Sequence, residues 1–267
     1  MNPFSQPALC HACGIIVCMA TLAWPIHASA QLKVMISGGF TQAYEQLLPE
    51  FERASGTKVT TGSGASQGTG PQTIGAQLVR GVPTDVVILS REGLSELMAA
   101  NRIAAGSDVD LARVPLGIGV RAGAAKPDVS TVEAFKRTVT SAKAVAVPGS
   151  TSGIYLTKDL FPRLGIADKV NVKVAPRGTG ATAMVAAGDA DLAVMPVSEI
   201  LRAAGVEFAG TIPAEIQLVQ VFSAAIVAGS KESETARRLI DFLASEHASA
   251  VIRKSGMEPL GKRGTSR

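Results

Sequence analysis

The main body of the chain, residues 31–267, lacks cysteine and tryptophan and contains one histidine, His247. All three cysteines and the single tryptophan fall within residues 1–30. The main body therefore has no disulfide, no thiol nucleophile, no zinc–thiolate site and no histidine-rich metal site. A Ser-His-Asp triad would depend on His247, which follows a late helical pattern and has no motif of that kind around it.

Residues 1–30 also lack every formally charged side chain. An apolar stretch runs from Ala12 to Trp24 and ends near the small-residue sequence Ala28–Ala30, which is typical of a cleaved export signal. The stretch is too short to span a membrane, and Cys18 lacks a convincing lipidation motif. We expect export to the periplasm, cleavage before Gln31 and no membrane insertion afterwards.

Charge is nearly balanced, with 26 basic and 22 acidic side chains and a formal net charge of +4. No run of Lys or Arg alternates with aromatic residues, which argues against nucleic-acid binding. The apolar fraction of 46% is enough for a sizeable core. The mild positive balance suits a small anionic ligand.

Short apolar runs alternate with helical patterns along the main body, and this alternation predicts an α/β fold with mostly parallel sheets. The pattern restarts near Leu116, and two chain crossings are expected near 113–120 and 219–225. We therefore predict lobe 1 from residues 31–115, completed by residues 222–267, and lobe 2 from residues 116–221. The predicted helices include Thr41–Ala54 and Glu234–Leu243. The predicted strands include Leu32–Ile36, Ala144–Val147, Asp191–Met195, Val219–Phe222 and Ala224–Val227.

Loops rich in glycine and hydroxyl residues follow several predicted strands and open helices. In open parallel sheets, ligands bind beyond the carboxyl ends of the strands, where backbone N–H groups and small side chains surround anions. Each loop alone is also explained by ordinary helix caps and turns. The candidate binding residues in these loops are Ser37, Gly38, Gly39, Ser66, Gln67, Gly68, Thr69, Ser150, Thr151, Ser152, Arg177 and Ser198.

Four segments resemble the periplasmic molybdate-binding protein family. They are Ile36–Tyr44, Gly81–Ile88, Gly153–Leu156 and Gly188–Met195, and the likeness extends over Gln31–Leu260. The resemblance implies the type II periplasmic binding protein fold, which has two α/β lobes, a hinge and a cleft between the lobes.

The resemblance is weaker for the ligand. Family members that bind molybdate use a serine in the first loop, and Gly39 stands at the matching position. The second loop is longer here, with Gln67–Pro71 inserted. These departures suggest a larger ligand, and overall the chain looks like the branch of the family that contains bacterial aconitate isomerase. That branch implies interconversion of cis- and trans-aconitate through an allylic proton shift.

An allylic shift needs a proton carrier and positive partners for three carboxylates. Glu199, Tyr155 and Ser152 are the candidates for proton transfer, although Glu199 also suits a capping role and Tyr155 a core position. Arg177 is the favoured cation, ahead of Arg80 and Arg121, because it adjoins a glycine-rich loop. No metal or organic cofactor is expected.

A second hypothesis stays open from the sequence. The same fold without an obvious base suits a non-catalytic receptor that delivers molybdate or a small organic anion to an ABC permease. Residue chemistry favours this receptor, whereas the departures from the molybdate loops favour the isomerase.

Overall fold

The computed structural model describes residues 31–175 and 177–261. The predicted export signal, residues 1–30, lies outside the described residues. Among the helices that are described, none is both long and apolar enough to cross a membrane.

Eleven strands are present in the described residues, and they form two separate sheets. They are β1 (Gln31–Ile36), β2 (Lys58–Ser63), β3 (Val86–Ser90), β4 (Val109–Val114), β5 (Leu116–Arg121), β6 (Val145–Pro148), β7 (Val172–Ala175), β8 (Leu192–Pro196), β9 (Val206–Thr211), β10 (Gln220–Ile226) and β11 (Glu258–Pro259). The first sheet has the order β11-β4-β10-β3-β1-β2, and the second has the order β7-β6-β8-β5-β9.

Helices pack on both faces of the sheets. They are α1 (Thr41–Ser55), α2 (Ile74–Val79), α3 (Arg91–Ala99), α4 (Val132–Ser141), α5 (Thr151–Ile154), α6 (Phe161–Arg163), α7 (Gly178–Ala187), α8 (Val197–Ile200), α9 (Ser233–Leu243) and α10 (Glu246–Lys254). A π-helical segment, Tyr155–Leu160, joins α5 to α6. Helix α1 shows why these segments are helical: Ala43, Tyr44, Leu47 and Phe51 recur at helical spacing and are the buried residues of the helix.

The sheets are mixed, which corrects the expectation of mostly parallel sheets. Strand β1 pairs in parallel with β2 and β3, and β6 pairs in parallel with β7 and β8. The other pairs are antiparallel and involve β4, β5 and β10, the strands next to the crossings between the lobes. Parallel pairing needs a crossover connection, usually a helix. The first connection between the lobes is Pro115 alone, and the second contains only one short 3-10 turn, Ala214–Ile216, so neither includes a crossover helix.

The two crossings are tied together by Gln217. Strand β4 passes to β5 through Pro115, and the chain returns to the first sheet just before β10. Gln217 Oε1 accepts a hydrogen bond from the Leu116 N–H (2.7 Å), and Gln217 Nε2 donates to the Leu116 carbonyl (3.1 Å). The Gln217 side chain, near the end of lobe 2 in the sequence, therefore bonds to the backbone at the start of lobe 2.

Each sheet is covered by apolar residues on both faces. In lobe 1, Phe40, Leu47 and Phe222 belong to one cluster, and Ile74 and Leu94 belong to another on the opposite face. Lobe 2 likewise has two clusters, one of which includes the fully buried Phe135. Each lobe thus has its own core, and Val197 and Phe208 of lobe 2 also pack against the main cluster of lobe 1.

Several predicted elements need correction. The predicted strands Val219–Phe222 and Ala224–Val227 are one continuous strand, β10, because Ser223 is buried and its hydroxyl bonds to Asp110 Oδ1 (2.6 Å). His247 lies inside α10, which was not predicted. Its Nε2 is 2.6 Å from Glu50 Oε2 on α1.

Candidate functional site

The glycine- and hydroxyl-rich loops of the two lobes meet across a cleft. The Gln67 N–H of lobe 1 donates to Ser150 Oγ of lobe 2 (3.4 Å), and Ser90 Oγ lies 2.7 Å from Thr151 Oγ1. The loops after β2 and β6 therefore approach each other directly. The fold brings them together because both strands end at the edge of their sheet that faces the other lobe.

The cleft has an inner compartment of about 20 Å³. Its polar walls are hydroxyls, an amide and backbone, and one wall is the ring of Phe222. Its lining includes Ser37, Gly39, Ser66, Ser150, Ser152 and Gln220. Most of this lining carries no formal charge, so it can hold polar groups but contributes little net charge itself.

The cleft also has an outer compartment of about 370 Å³. Arg177 and Arg202 bring two positive charges to it, and Glu45 brings a negative one. Arg177 Nη1 donates to Ser63 Oγ across the cleft (2.5 Å), and Arg202 Nη2 lies 4.0 Å from Glu45 Oε2. Both guanidinium groups belong to lobe 2 and reach residues of lobe 1, so they sit where a ligand between the lobes would meet them.

Glu199 lines both compartments, as do Gly38 and Arg177. Its carboxylate lies so close to Gly38 that a Cβ on Gly38 would overlap it. Burial raises the pKa of Glu199 to about 7, although the charges of Arg202 and Arg177 pull the pKa down. A carboxyl group with that pKa exchanges protons near neutral pH, which is the property required of a general acid or base.

Within the part of the chain that the structure describes, two buried polar atoms of the inner compartment have no hydrogen-bond partner, and a third lies just before Glu199 in the sequence. The first two are Ser37 Oγ and Gln220 Oε1, the third is Ser198 Oγ, and their residues are at most 4% exposed. A buried polar group without a partner costs free energy, and proteins rarely leave one without a reason. Several such atoms at one cleft indicate that a polar ligand completes the site.

Eight of the sequence-predicted residues line the cleft together: Ser37, Gly38, Gly39, Ser66, Ser150, Ser152, Arg177 and Glu199. Ser198 is buried immediately before Glu199, and the Thr151 hydroxyl is engaged with Ser90. Thr151 therefore supports the contact between the lobes rather than the ligand space.

The inserted part of the second loop does not line the cleft. Gln67 Nε2 donates to Glu96 Oε1 on α3 (2.5 Å), and Gly68 and Thr69 are exposed. The insertion packs over lobe 1 because α3, which the sequence analysis did not identify, provides a polar partner there. We therefore leave Gln67, Gly68 and Thr69 out of the proposed ligand contacts.

Tyr155 is also placed away from the cleft, which corrects the expectation that it faces the ligand. Its hydroxyl donates to the Ile216 carbonyl (2.9 Å) and accepts from Arg163 Nη2 (3.2 Å). Its ring packs against the lobe 2 core. The hydrogen bonds to Ile216 and Arg163 hold the side chain on the core side of the helix, away from the cleft.

Three residues that line the cleft were not predicted from the sequence: Arg202, Gln220 and Phe222. Arg202 could have been found, because it lies three residues after Glu199, a spacing that puts two side chains on one helical face. Gln220 and Phe222 alternate along β10. Their role becomes visible only when β10 is known to run beneath the cleft. Among residues 31–175 and 177–261, no group of three His, Cys, Asp or Glu side chains is arranged to hold a metal ion.

The chain is similar to known proteins over most of its length. The family described as bacterial extracellular solute-binding protein matches residues 32–258. An aconitate isomerase from Pseudomonas sp. is 34% identical over 252 residues, covering 93% of this chain and 95% of the relative.

Solved structures share the fold at lower identity. The periplasmic molybdate-binding protein of Azotobacter vinelandii has a TM-score of 0.64 and 23% identity, over 85% of this chain and 98% of its own. The sulfate-binding protein SubI of Mycobacterium tuberculosis H37Rv has a TM-score of 0.69 and 19% identity, over 86% and 87%. These likenesses show the two-lobed binding-protein fold.

Proposed function

Since the chain belongs to the bacterial extracellular solute-binding proteins, we propose that its cleft binds a small tricarboxylate and isomerises it. The substrate is aconitate, and the reaction interconverts the cis and trans isomers by an allylic proton shift. The 34% identity to an aconitate isomerase over nearly the whole length of both chains supports this choice of substrate.

The observation that carries the proposal is the position of Glu199. Its carboxyl lies at the boundary of the two compartments, beside two arginines, and its pKa is raised to about 7. In the ionised form it accepts a proton from the methylene carbon of the substrate. In the protonated form it returns that proton to the carbon at the other end of the allylic system.

The reaction is balanced within the substrate. The electron pair of the broken C–H bond forms the new C=C bond, the original C=C pair takes up the returned proton, and nothing is oxidised or reduced. Negative charge develops on the carboxylate next to the reacting carbon. Hydrogen-bond donors and cations fixed beside that carboxylate stabilise this charge most when water is excluded.

The two compartments divide the three carboxylates between them. Arg177 and Arg202 are the partners for two carboxylates in the outer compartment, where charged hydrogen bonds are strong. The inner compartment receives the third, where the hydroxyl of Ser37 and the amide oxygen end of Gln220 have unused hydrogen-bonding capacity. This orientation places the carbon chain of the substrate beside Glu199.

Proton NMR in D₂O tests the function directly. The purified protein is incubated with cis-aconitate, and we expect trans-aconitate to accumulate, with or without deuterium in the methylene group according to how fast Glu199 exchanges its proton. Glu199→Gln keeps the size and polarity of the side chain but removes the base. Tyr155→Phe is the matched control, because Tyr155 lies outside the cleft and should leave the rate unchanged.

Absence of any isomerisation by the folded protein would remove the enzymatic proposal. Tight molybdate binding in the same preparation would then favour the receptor hypothesis, which the two oxyanion-binding structural relatives motivate. An ABC permease would be the partner in that case.

The proposed place of action is the periplasm. The uncharged apolar segment within residues 1–30 supports export by a cleaved signal peptide. Cell fractionation followed by N-terminal sequencing should find the protein in the periplasmic fraction, beginning at or near Gln31. A protein that keeps residues 1–30 in the cytoplasmic fraction would contradict this.

A further inference from the structure

Phe222 closes one end of the inner compartment against the first glycine-rich loop. Its ring is 1% exposed and lies directly over Gly39, and both residues line the compartment. A Cβ on Gly39 would overlap three carbon atoms of the ring. Position 39 and position 222 are therefore matched: the ring occupies the space that any side chain at position 39 would need.

The ring has little room to move aside. Phe222 belongs to the main core cluster of lobe 1 and lies at the centre of the first sheet, on β10 between β3 and β4. Protein cores are packed about as densely as organic crystals, so a ring held on its core side keeps its position on the cleft side as well. The end wall of the compartment is thus a fixed surface.

The space that remains decides which ligand group fits. At about 20 Å³, the inner compartment has room for little more than one ligand oxygen, since a single water needs roughly 10–15 Å³ on this measure. A tetrahedral oxyanion carries four oxygens around one centre and does not fit into a space of that size. A carboxylate can place one oxygen there while its carbon chain continues into the outer compartment.

We propose that Phe222, paired with Gly39, is the specificity-determining residue of the cleft, admitting one planar carboxylate of a longer ligand and excluding tetrahedral oxyanions. This inference rests on the proposed function for its substrate class. It adds the residue that separates this cleft from those of its oxyanion-binding structural relatives.

Binding measurements test the proposal without using turnover. Isothermal titration calorimetry compares two probes, propane-1,2,3-tricarboxylate, which has no double bond to shift, and molybdate. For the wild-type protein we expect a Kd for the tricarboxylate roughly a hundredfold or more below that for molybdate. In the double variant Gly39→Ser/Phe222→Leu, this ratio should shrink by roughly tenfold or more, because space opens at the wall and a hydroxyl is added beside it.

Two further variants keep the test decisive. Phe222→Leu alone should shrink the ratio in the same direction by roughly threefold, and it serves if the double variant does not fold. Phe135→Leu removes a similar ring from the lobe 2 core, away from the cleft, and should leave the ratio unchanged.

Unchanged selectivity in folded Phe222→Leu, or an equal change in Phe135→Leu, overturns the role of Phe222. Tight and selective tricarboxylate binding without any aconitate turnover would instead leave Phe222 supported and remove the proposed isomerase. The two failures are therefore distinguishable.

Discussion

The inner and outer compartments of the cleft use different means to hold an anion. The outer one, of about 370 Å³, presents two guanidinium groups, and the inner one, of about 20 Å³, is lined mainly by hydroxyls, an amide and backbone. Charge in the outer compartment attracts the ligand over a distance, whereas the inner compartment acts only on contact, through shape and hydrogen bonds. We therefore expect the outer compartment to set the affinity for an anion and the inner compartment to select the shape of the anion.

Glu199 is subject to two opposing influences. Burial is the larger one and favours the protonated carboxyl, whereas the charges of Arg202 and Arg177 favour the ionised form. The pKa of about 7 is the balance of the two. Removing either one should change how the protein behaves with pH, and the following experiments use that dependence, from the largest expected effect to the smallest.

Glu199→Gln should lower kcat by about 10²–10⁴-fold, the usual contribution of a positioned general acid or base. The boundary between the compartments keeps its shape because glutamine has the same size. Aconitate turnover measured by NMR, with Tyr155→Phe as control, checks this. A loss of less than about tenfold would show that another group carries the proton.

Arg202→Ala and Arg177→Ala should each weaken tricarboxylate binding by roughly 10–100-fold, because each removes a charged partner of the ligand. Each should also move the kcat/KM profile to higher pH. The sign follows from the charges: both arginines lower the pKa of Glu199, so losing one raises it and the base ionises later. Arg80→Ala, outside the cleft, is the control. An unchanged pH profile would show that the arginines do not control the pKa of Glu199.

The stability of the wild-type protein should fall as pH rises from about 5 to 8. The pKa of Glu199 is about 7 in the folded protein and near 4.5 when unfolded, so the stabilising contribution is complete below the unfolded value and is lost as pH rises through 7. The loss is on the order of 2 kcal/mol. Urea unfolding across this pH range measures it, and Glu199→Gln should flatten the curve relative to the wild type.

Ser37→Ala should have the smallest effect. Among the described residues the buried Ser37 hydroxyl has no hydrogen-bond partner, so its removal should not lower the free energy of unfolding and should weaken tricarboxylate binding by about threefold to tenfold. Calorimetry and urea unfolding measure the two quantities. Ser90→Ala offers a contrast, because the Ser90 hydroxyl is bonded to Thr151 and its loss should destabilise the protein. Destabilisation by Ser37→Ala, or unchanged tricarboxylate binding, would show that the Ser37 hydroxyl does not contact the ligand.

Much of the fold could be predicted from sequence because its signals are local. The spacing of Ala43, Tyr44, Leu47 and Phe51 predicted α1, which spans Thr41–Ser55. The mixed character of the sheets could not be predicted, since antiparallel pairing by β4, β5 and β10 depends on how two lobes share one chain. Alternation along a strand shows which side chains share a face but not which strand lies beside it.

The site residues, too, could be predicted only where their signal is local. Gly38 and Ser37 were found because a glycine- and hydroxyl-rich loop after a strand is a local pattern. Glu199 was a candidate, but the raised pKa that makes it persuasive depends on burial by both lobes. Tyr155 was misplaced because its position depends on a contact with Ile216, 61 residues further along the chain, which no local pattern reveals.

Strand β10 fixes the order in which the molecule can be completed. It lies between β3 and β4 in the first sheet, yet it follows the whole of lobe 2 in the chain. The strands of lobe 2 are consecutive in the chain, so its sheet can form from one continuous segment. The lobe 1 sheet also needs β10, which lies about a hundred residues beyond its partner β4, and contacts between such distant segments form slowly. Phe222 and Gln220 enter the cleft on that late strand. During synthesis, the first lobe therefore remains without its central strand until most of the chain is available, and the ligand site is among the last parts of the protein to form.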